Sequence, residues 1–130
     1  MKFKDLNLLP SLLKALDEKK YTEPTSIQEK AIPFILSRED VLGSAQTGTG
    51  KTAAFALPII QHLENEQQSQ SGRRRIRALV VTPTRELAIQ IGENFVAYSK
   101  YNNVRTTVIY GGVKQGGQTQ ALNQGIDVLI

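Results

Sequence analysis

Apolar positions in the first third of the chain recur at intervals of three and four. Leu9, Leu12, Leu13 and Leu16 fall on one face of a helix predicted over 8–20, with Pro10 in its first turn, where a missing N–H costs little. Tyr21 to Pro24 breaks the pattern. A second helix is predicted from Ser26 towards Leu36, and Pro33 is expected to kink or split it, because it removes a backbone donor. From residue 40 short apolar runs alternate with amphipathic stretches. The expected order is strand 40–44, helix 51–64 bent at Pro58, polar linker 65–75, strand 76–82, helix 85–100, strand 104–110, helix 117–123 and strand 126–130. The run Ala78-Leu79-Val80-Val81 has no polar alternation, which predicts a strand covered on both faces. Leu87, Ile91, Phe95 and Tyr98 share one side of the 85–100 helix. Repeated strand–helix alternation predicts an α/β fold with a mainly parallel sheet.

Composition narrows the chemistry. The 130 residues contain no cysteine and one histidine, His62, which excludes disulfides, cysteine-based zinc sites and thiol nucleophiles. No apolar run approaches the ~18 residues of a membrane span, and Asp5, Pro10 and Lys14 interrupt any signal-peptide core, so a cytoplasmic protein is expected. A net charge of +4 is compatible with a polyanionic partner without requiring one.

The strongest chemical signal is Ala45-Gln46-Thr47-Gly48-Thr49-Gly50-Lys51-Thr52, a phosphate-binding loop with Ala at the leading Gly position. Gly48 and Gly50 let the backbone curl so that several N–H groups face phosphate oxygens, and the following helix adds the positive end of its dipole. Lys51 brings an ammonium to the outer phosphates, and the Thr52 hydroxyl is a ligand for Mg²⁺. The plainer reading is a Gly-rich strand-to-helix turn. The loop alone fits kinases, GTPases, transporters and helicases equally. Upstream, Thr25 and Gln28 form a T-x-x-Q capping box, with Ser26 and Glu29 offering a second. A Gln amide also pairs with N6 and N7 of adenine, and Tyr21 offers a ring to stack on the base.

Together these segments resemble DEAD-box RNA helicases. Tyr21–Gln28 is similar to that family's Q motif, with Phe3 in the place of its isolated upstream aromatic. AQTGTGKT at 45–52 is the family's form of the phosphate loop, PTRELA at 83–88 is its motif Ia, and Gly111-Gly112 its GG element. Two positions depart from the pattern: Lys20 stands where the family usually has Gly, and Ser26 where it often has Pro.

The resemblance implies a P-loop, RecA-like parallel sheet flanked by helices, ATP and Mg²⁺ as cofactors, and RNA as partner. Gln28 would read adenine, Tyr21 would stack on it, and Glu23 would contribute through its backbone. Ala45 to Thr52 would hold the phosphates and metal. Pro83, Thr84, Arg85, Gly111 and Gly112 would touch the RNA backbone, contacts that position RNA without reading sequence. Their plainer readings are a helix cap, a solvated first turn and an ordinary turn. The same holds for Arg73, Arg74, Arg75 and Arg77, which read as a solvated loop before an RNA contact, while His62 reads as idle.

Residues 1–39 read as the Q-motif region and 40–130 as the phosphate-loop core. The D-E-A-D and S-A-T motifs, the TPGR element and a second RecA-like domain are not in the sequence. The chain is therefore expected to be a piece of a helicase that binds adenine nucleotide without turning it over. Its sheet is expected to be incomplete, which favours self-association or strand exchange. Rival readings are a non-enzymatic nucleotide-binding module and a different P-loop phosphotransferase.

Overall fold

In the computed structural model, which describes residues 1–66, 74–111 and 115–130, the helical spacing of the leucines resolves into regular elements. A 3-10 turn, Phe3–Leu6, is followed by α1, Pro10–Glu18, with Pro10 at its first position. Helix α2, Ser26–Leu36, is uninterrupted, so Pro33 does not split it; Thr25, not Ser26, is its N-cap. Helix α3 spans Lys51–Asn65 and carries Pro58 within it. Strand β1, Ala78–Leu79, leads to α4, Arg85–Tyr98; β2 is Thr106–Thr107, α5 Gln115–Gln124 and β3 Val128–Leu129.

The strands form a parallel sheet of order β1-β3-β2, with Ala78 and Thr106 flanking Val128, and Leu79 and Thr107 flanking Leu129. Parallel hydrogen bonds continue past these bounds, from Val80 N to Leu129 O and from Ile109 N to Ile130 O. The last strand in sequence is thus the central one. The core lies between sheet and helices, where Leu12, Leu16, Ile32, Leu57, Ile60, Phe95 and Val128 are buried. Gly92 allows α4 to lie close to the sheet, because a Cβ there would sit 2.4 Å from Val108 Cγ2. Among the described residues no helix is long and apolar enough to cross a membrane.

Four expectations are corrected. Residues 40–44 join no ladder, and Leu42 is fully exposed; a strand needs a neighbour, and none of the described strands lies beside this segment. The strand at 76–82 is covered on one side only: Leu79 is 67% and Val81 84% exposed, on a face that the described helices leave open. His62 is not idle, since its Nε2 lies 2.9 Å from Ile35 O and links α3 to the end of α2.

The fourth correction concerns the basic cluster, whose Arg73 lies outside the described residues with the rest of 67–73. Arg74 and Arg77 are not a solvated loop but converge on the buried Asp127, at 2.5 and 2.8 Å. Asp127 also accepts the Arg105 N–H at 2.9 Å, and Arg77 donates to Leu63 O at the end of α3. Burial alone would raise the Asp127 carboxyl. The Arg105 N–H and the two guanidinium groups outweigh it and hold the group below the usual carboxylate range.

Candidate nucleotide and RNA site

The phosphate loop closes on itself through short-range contacts. Gly48 and Gly50 both take left-handed backbone, at φ 83° and 81°. Thr49 Oγ1 donates to Gln46 O at 2.6 Å, and Lys51 Nζ reaches back across the loop to Ala45 O, also at 2.6 Å. Gly50 is the N-cap of α3, which therefore receives no side-chain cap. First-turn N–H groups of a helix have no intrahelical partner, so this end presents donors and a positive dipole towards the loop.

Gln28 joins this loop to the upstream segment. It is buried on the first turn of α2, where its Oε1 accepts the Thr25 N–H at 2.9 Å, the expected capping box. Its Nε2 donates to Gly50 O at 3.1 Å. The approach is so close that a Cβ on Gly50 would lie 2.2 Å from Nε2. Gly50 thus answers two demands at once, left-handed backbone and room for Gln28. At Gly48 an added Cβ would meet nothing within 4 Å, so only its φ requires glycine.

A cavity of ≈ 700 Å³ is shared by the two segments. Tyr21, Glu23 and Gln28 border it on one side, and Thr47, Gly48, Gly50, Lys51 and Thr52 on the other, with Phe3 also in the wall. Ala45, Gln46 and Thr49 shape the loop behind this wall. Tyr21 is part-exposed beside the cavity, and Lys19 Nζ lies 5.6 Å from its ring centroid and 5.7 Å from that of Tyr98. Burial pushes the Tyr98 phenol up, helped by the neighbouring Tyr21 phenol. Glu23 is held below the usual carboxylate range by its hydrogen bond and ion pair with Lys2, at 2.7 Å.

Sequence reasoning missed part of this wall. Leu87, Gln90, Asn94 and Tyr98 line the cavity from α4. Their intervals of three, four and four are a helical face, but the apolar pattern assigned Leu87 and Tyr98 to the core and gave no reason to look at the two amides.

A second groove, ≈ 540 Å³, lies at the carboxyl ends of the strands, lined by Pro83, Thr84, Arg85, Tyr110 and Gly111 among others. Thr84 is the N-cap of α4, its Oγ1 accepting the Leu87 N–H at 3.2 Å. The Arg85 guanidinium lies 5.6 Å from the Tyr110 ring centroid, a contact the sequence did not announce. Gly111 is exposed with open space where a side chain would be, and Gly112 lies outside the described residues. Helix α4 therefore carries one groove at its N-terminus and the larger cavity along its flank.

Comparison with known proteins agrees with this arrangement. The chain is 46% identical over its full length to the ATP-dependent RNA helicase CshA of Limosilactobacillus reuteri, covering 25% of that protein. It is 46% identical over 128 residues to the DEAD-box ATP-dependent RNA helicase RhpA of Helicobacter pylori, again covering 25% of the relative. The crystal structure of a DEAD box protein from the hyperthermophile Methanococcus jannaschii superposes with a TM-score of 0.86 at 36% identity, covering all of this chain and 34% of that one. This chain thus spans about a quarter of the length of its curated relatives. The RecA-like expectation for the sheet holds for the part of the fold present. A family model for the DEAD/DEAH box helicases matches residues 25–130, from the cap of α2 to the central strand, and the chain belongs to that family.

Proposed function

We propose that this chain is the adenine-nucleotide-binding front of an ATP-dependent RNA helicase, and that in isolation it binds nucleotide without hydrolysing it. The observation that carries this reading is the Gln28–Gly50 hydrogen bond inside one shared cavity. A Gln side chain has two N–H donors and two acceptor lone pairs. Thr25 N and Gly50 O use one of each, leaving one donor and one acceptor, the pair that adenine N7 and N6 require. Residues 1–39 then serve the base, and 40–130 the phosphates and RNA.

The residues fit a magnesium nucleotide. An uncapped α3 N-terminus and Gly48 to Thr52 form the cradle. Lys51 would trade its loop carbonyl for phosphate oxygens, and the Thr52 hydroxyl would ligate Mg²⁺, which neutralises phosphate charge when bound. Phosphoryl transfer further needs a positioned water and compensating cations on the far side of the nucleotide. Among the described residues lining this cavity the one carboxylate, Glu23, is already paired with Lys2 and leaves no group to position a water, hence binding without turnover. Thr84, Arg85 and Gly111 form a surface suited to an RNA backbone, with donors at the α4 N-terminus. Solution in the cytoplasm belongs to the same reading.

Titration with fluorescent adenine and guanine nucleotides tests it. Wild type should prefer ATP, Gln28→Ala should lose roughly 1–3 kcal/mol of that preference, and Lys51→Ala should weaken both nucleotides. An unaltered ATP-over-GTP ratio in Gln28→Ala would remove the adenine reader. RNA-stimulated ATP turnover by this chain would overturn the proposed inactivity.

A further inference from the structure

Two helices of this protein end in the same way. After α1, Lys20 N donates to Asp17 O at 2.9 Å and Tyr21 N to Leu16 O at 3.0 Å; after α2, Arg38 N donates to Ile35 O and Glu39 N to Phe34 O, both at 3.0 Å. Each is the paired hydrogen-bond closure that places one residue in left-handed backbone just past the helix, a position that favours glycine. Here the occupants are Lys20, at φ 61°, and Arg38, at φ 64°. Both bear a Cβ where it clashes with the following carbonyl, so both positions are strained. A cation near a helix C-terminus recovers part of that cost through the dipole.

The two differ in surroundings. Arg38 is ion-paired to Glu66 and lies away from the nucleotide cavity. Lys20 lines that cavity and takes part in none of the ion pairs among the described residues. The one carboxylate in the same wall, Glu23, is already paired with Lys2. Lys20 therefore borders the same cavity that Lys51 lines. It adjoins Tyr21, the ring assigned to the base, because the left-handed turn brings both residues to the wall.

We propose that Lys20 is a second cationic contact for a nucleoside polyphosphate in this cavity, supplementing Lys51. The inference rests on the nucleotide reading above and adds a charge at a position where the family pattern usually has Gly. Strain alone does not distinguish the two positions; the cavity beside Lys20 and the ion pair of Arg38 do. The contact is electrostatic, so it should scale with the number of phosphates and weaken with salt.

The test is to measure melting temperature and the affinities of labelled ATP, ADP, AMP and adenosine for the 130-residue chain and four variants. Lys20→Gly and Arg38→Gly should both melt higher, by about 4 °C, since each relieves left-handed strain. Only Lys20→Gly should weaken ATP, by roughly fivefold at low salt. The loss should shrink through ADP and AMP, vanish for adenosine, and vanish for ATP at about 0.5 M salt. Lys20→Asn, neutral but tolerant of left-handed backbone, should weaken ATP as Lys20→Gly does, which separates charge from flexibility. The inference fails if Lys20→Gly binds ATP as wild type does. It also fails if ATP and adenosine weaken equally, which would mean a shift of Tyr21. Lys51→Ala keeps the two levels apart. If wild type binds no nucleotide, or Lys51→Ala binds as well as wild type, the nucleotide reading itself falls. If Lys51 matters and Lys20 does not, only the present inference falls.

Discussion

Replacing Asp127 with Asn tests how the sheet is tied to the helices. The carboxylate is buried between Arg74 at 2.5 Å, Arg77 at 2.8 Å and the Arg105 N–H at 2.9 Å. Removing one partner of a buried ion pair costs about 3–5 kcal/mol. Asn keeps one acceptor, but its NH₂ must face another donor. The two arginine side chains are each 18% exposed and can regain some water, so the lower end applies, roughly 3 kcal/mol. With an unfolding entropy of about 2 cal/mol/K per residue, that corresponds to a drop of roughly 11 °C for 130 residues.

Thermal and urea unfolding followed by far-ultraviolet circular dichroism would read this change, the chain having no tryptophan. A pH series adds a second check. The folded Asp127 value lies below the unfolded one, so the native state binds fewer protons. The stabilisation is complete above about pH 4–5 and is lost as pH falls through the folded value. The wild type and Asp127→Asn should therefore converge in acid. A midpoint within about 2 °C of wild type at neutral pH, or a difference that persists in acid, would mean that the Asp127 carboxylate does not hold this network together.

Other consequences follow from the site and the open sheet edge. Gly50→Ala should lose both stability and preference for adenine, since its Cβ displaces Gln28, whereas Gly48→Ala should lose stability alone, by roughly 1–2 kcal/mol; equal selectivity in both variants would contradict this. Arg85→Ala should weaken single-stranded RNA binding alike across sequences and lower the salt slope by about one, as measured by fluorescence anisotropy at several salt concentrations. Sedimentation should show concentration-dependent self-association through the β1 edge and the exposed Leu79 and Val81 beside it, weakened by Val81→Lys; a wild-type monomer throughout would remove that proposal.

Legibility in the sequence followed the range of the interactions. Helices α1, α2 and α4 rest on apolar residues three and four apart, and the turn chemistry of Gly48 and Gly50 is local, so both were readable. The 40–44 segment was misread because a strand is defined by a neighbour, and its apolar residues say nothing about which neighbour is present. Arg74 and Asp127 are 53 positions apart, and no spacing rule links a basic run to a lone acid at that distance. Gln28 was legible as a cap, but its bond to Gly50, 22 residues on, emerged only from the fold. Gln90 and Asn94 lie on a helix face whose polar neighbours concealed them.

The central claim is that the turn from residue 45 into α3 grips a polyphosphate. Backbone amide chemical shifts recorded during titration with magnesium ADP address it most directly. Saturable shifts should concentrate at Gly48, Gly50, Lys51 and Thr52, with a smaller set at Gln28, all absent in Lys51→Ala. Shifts that leave these amides untouched, or that survive unchanged without the Lys51 ammonium, would contradict it.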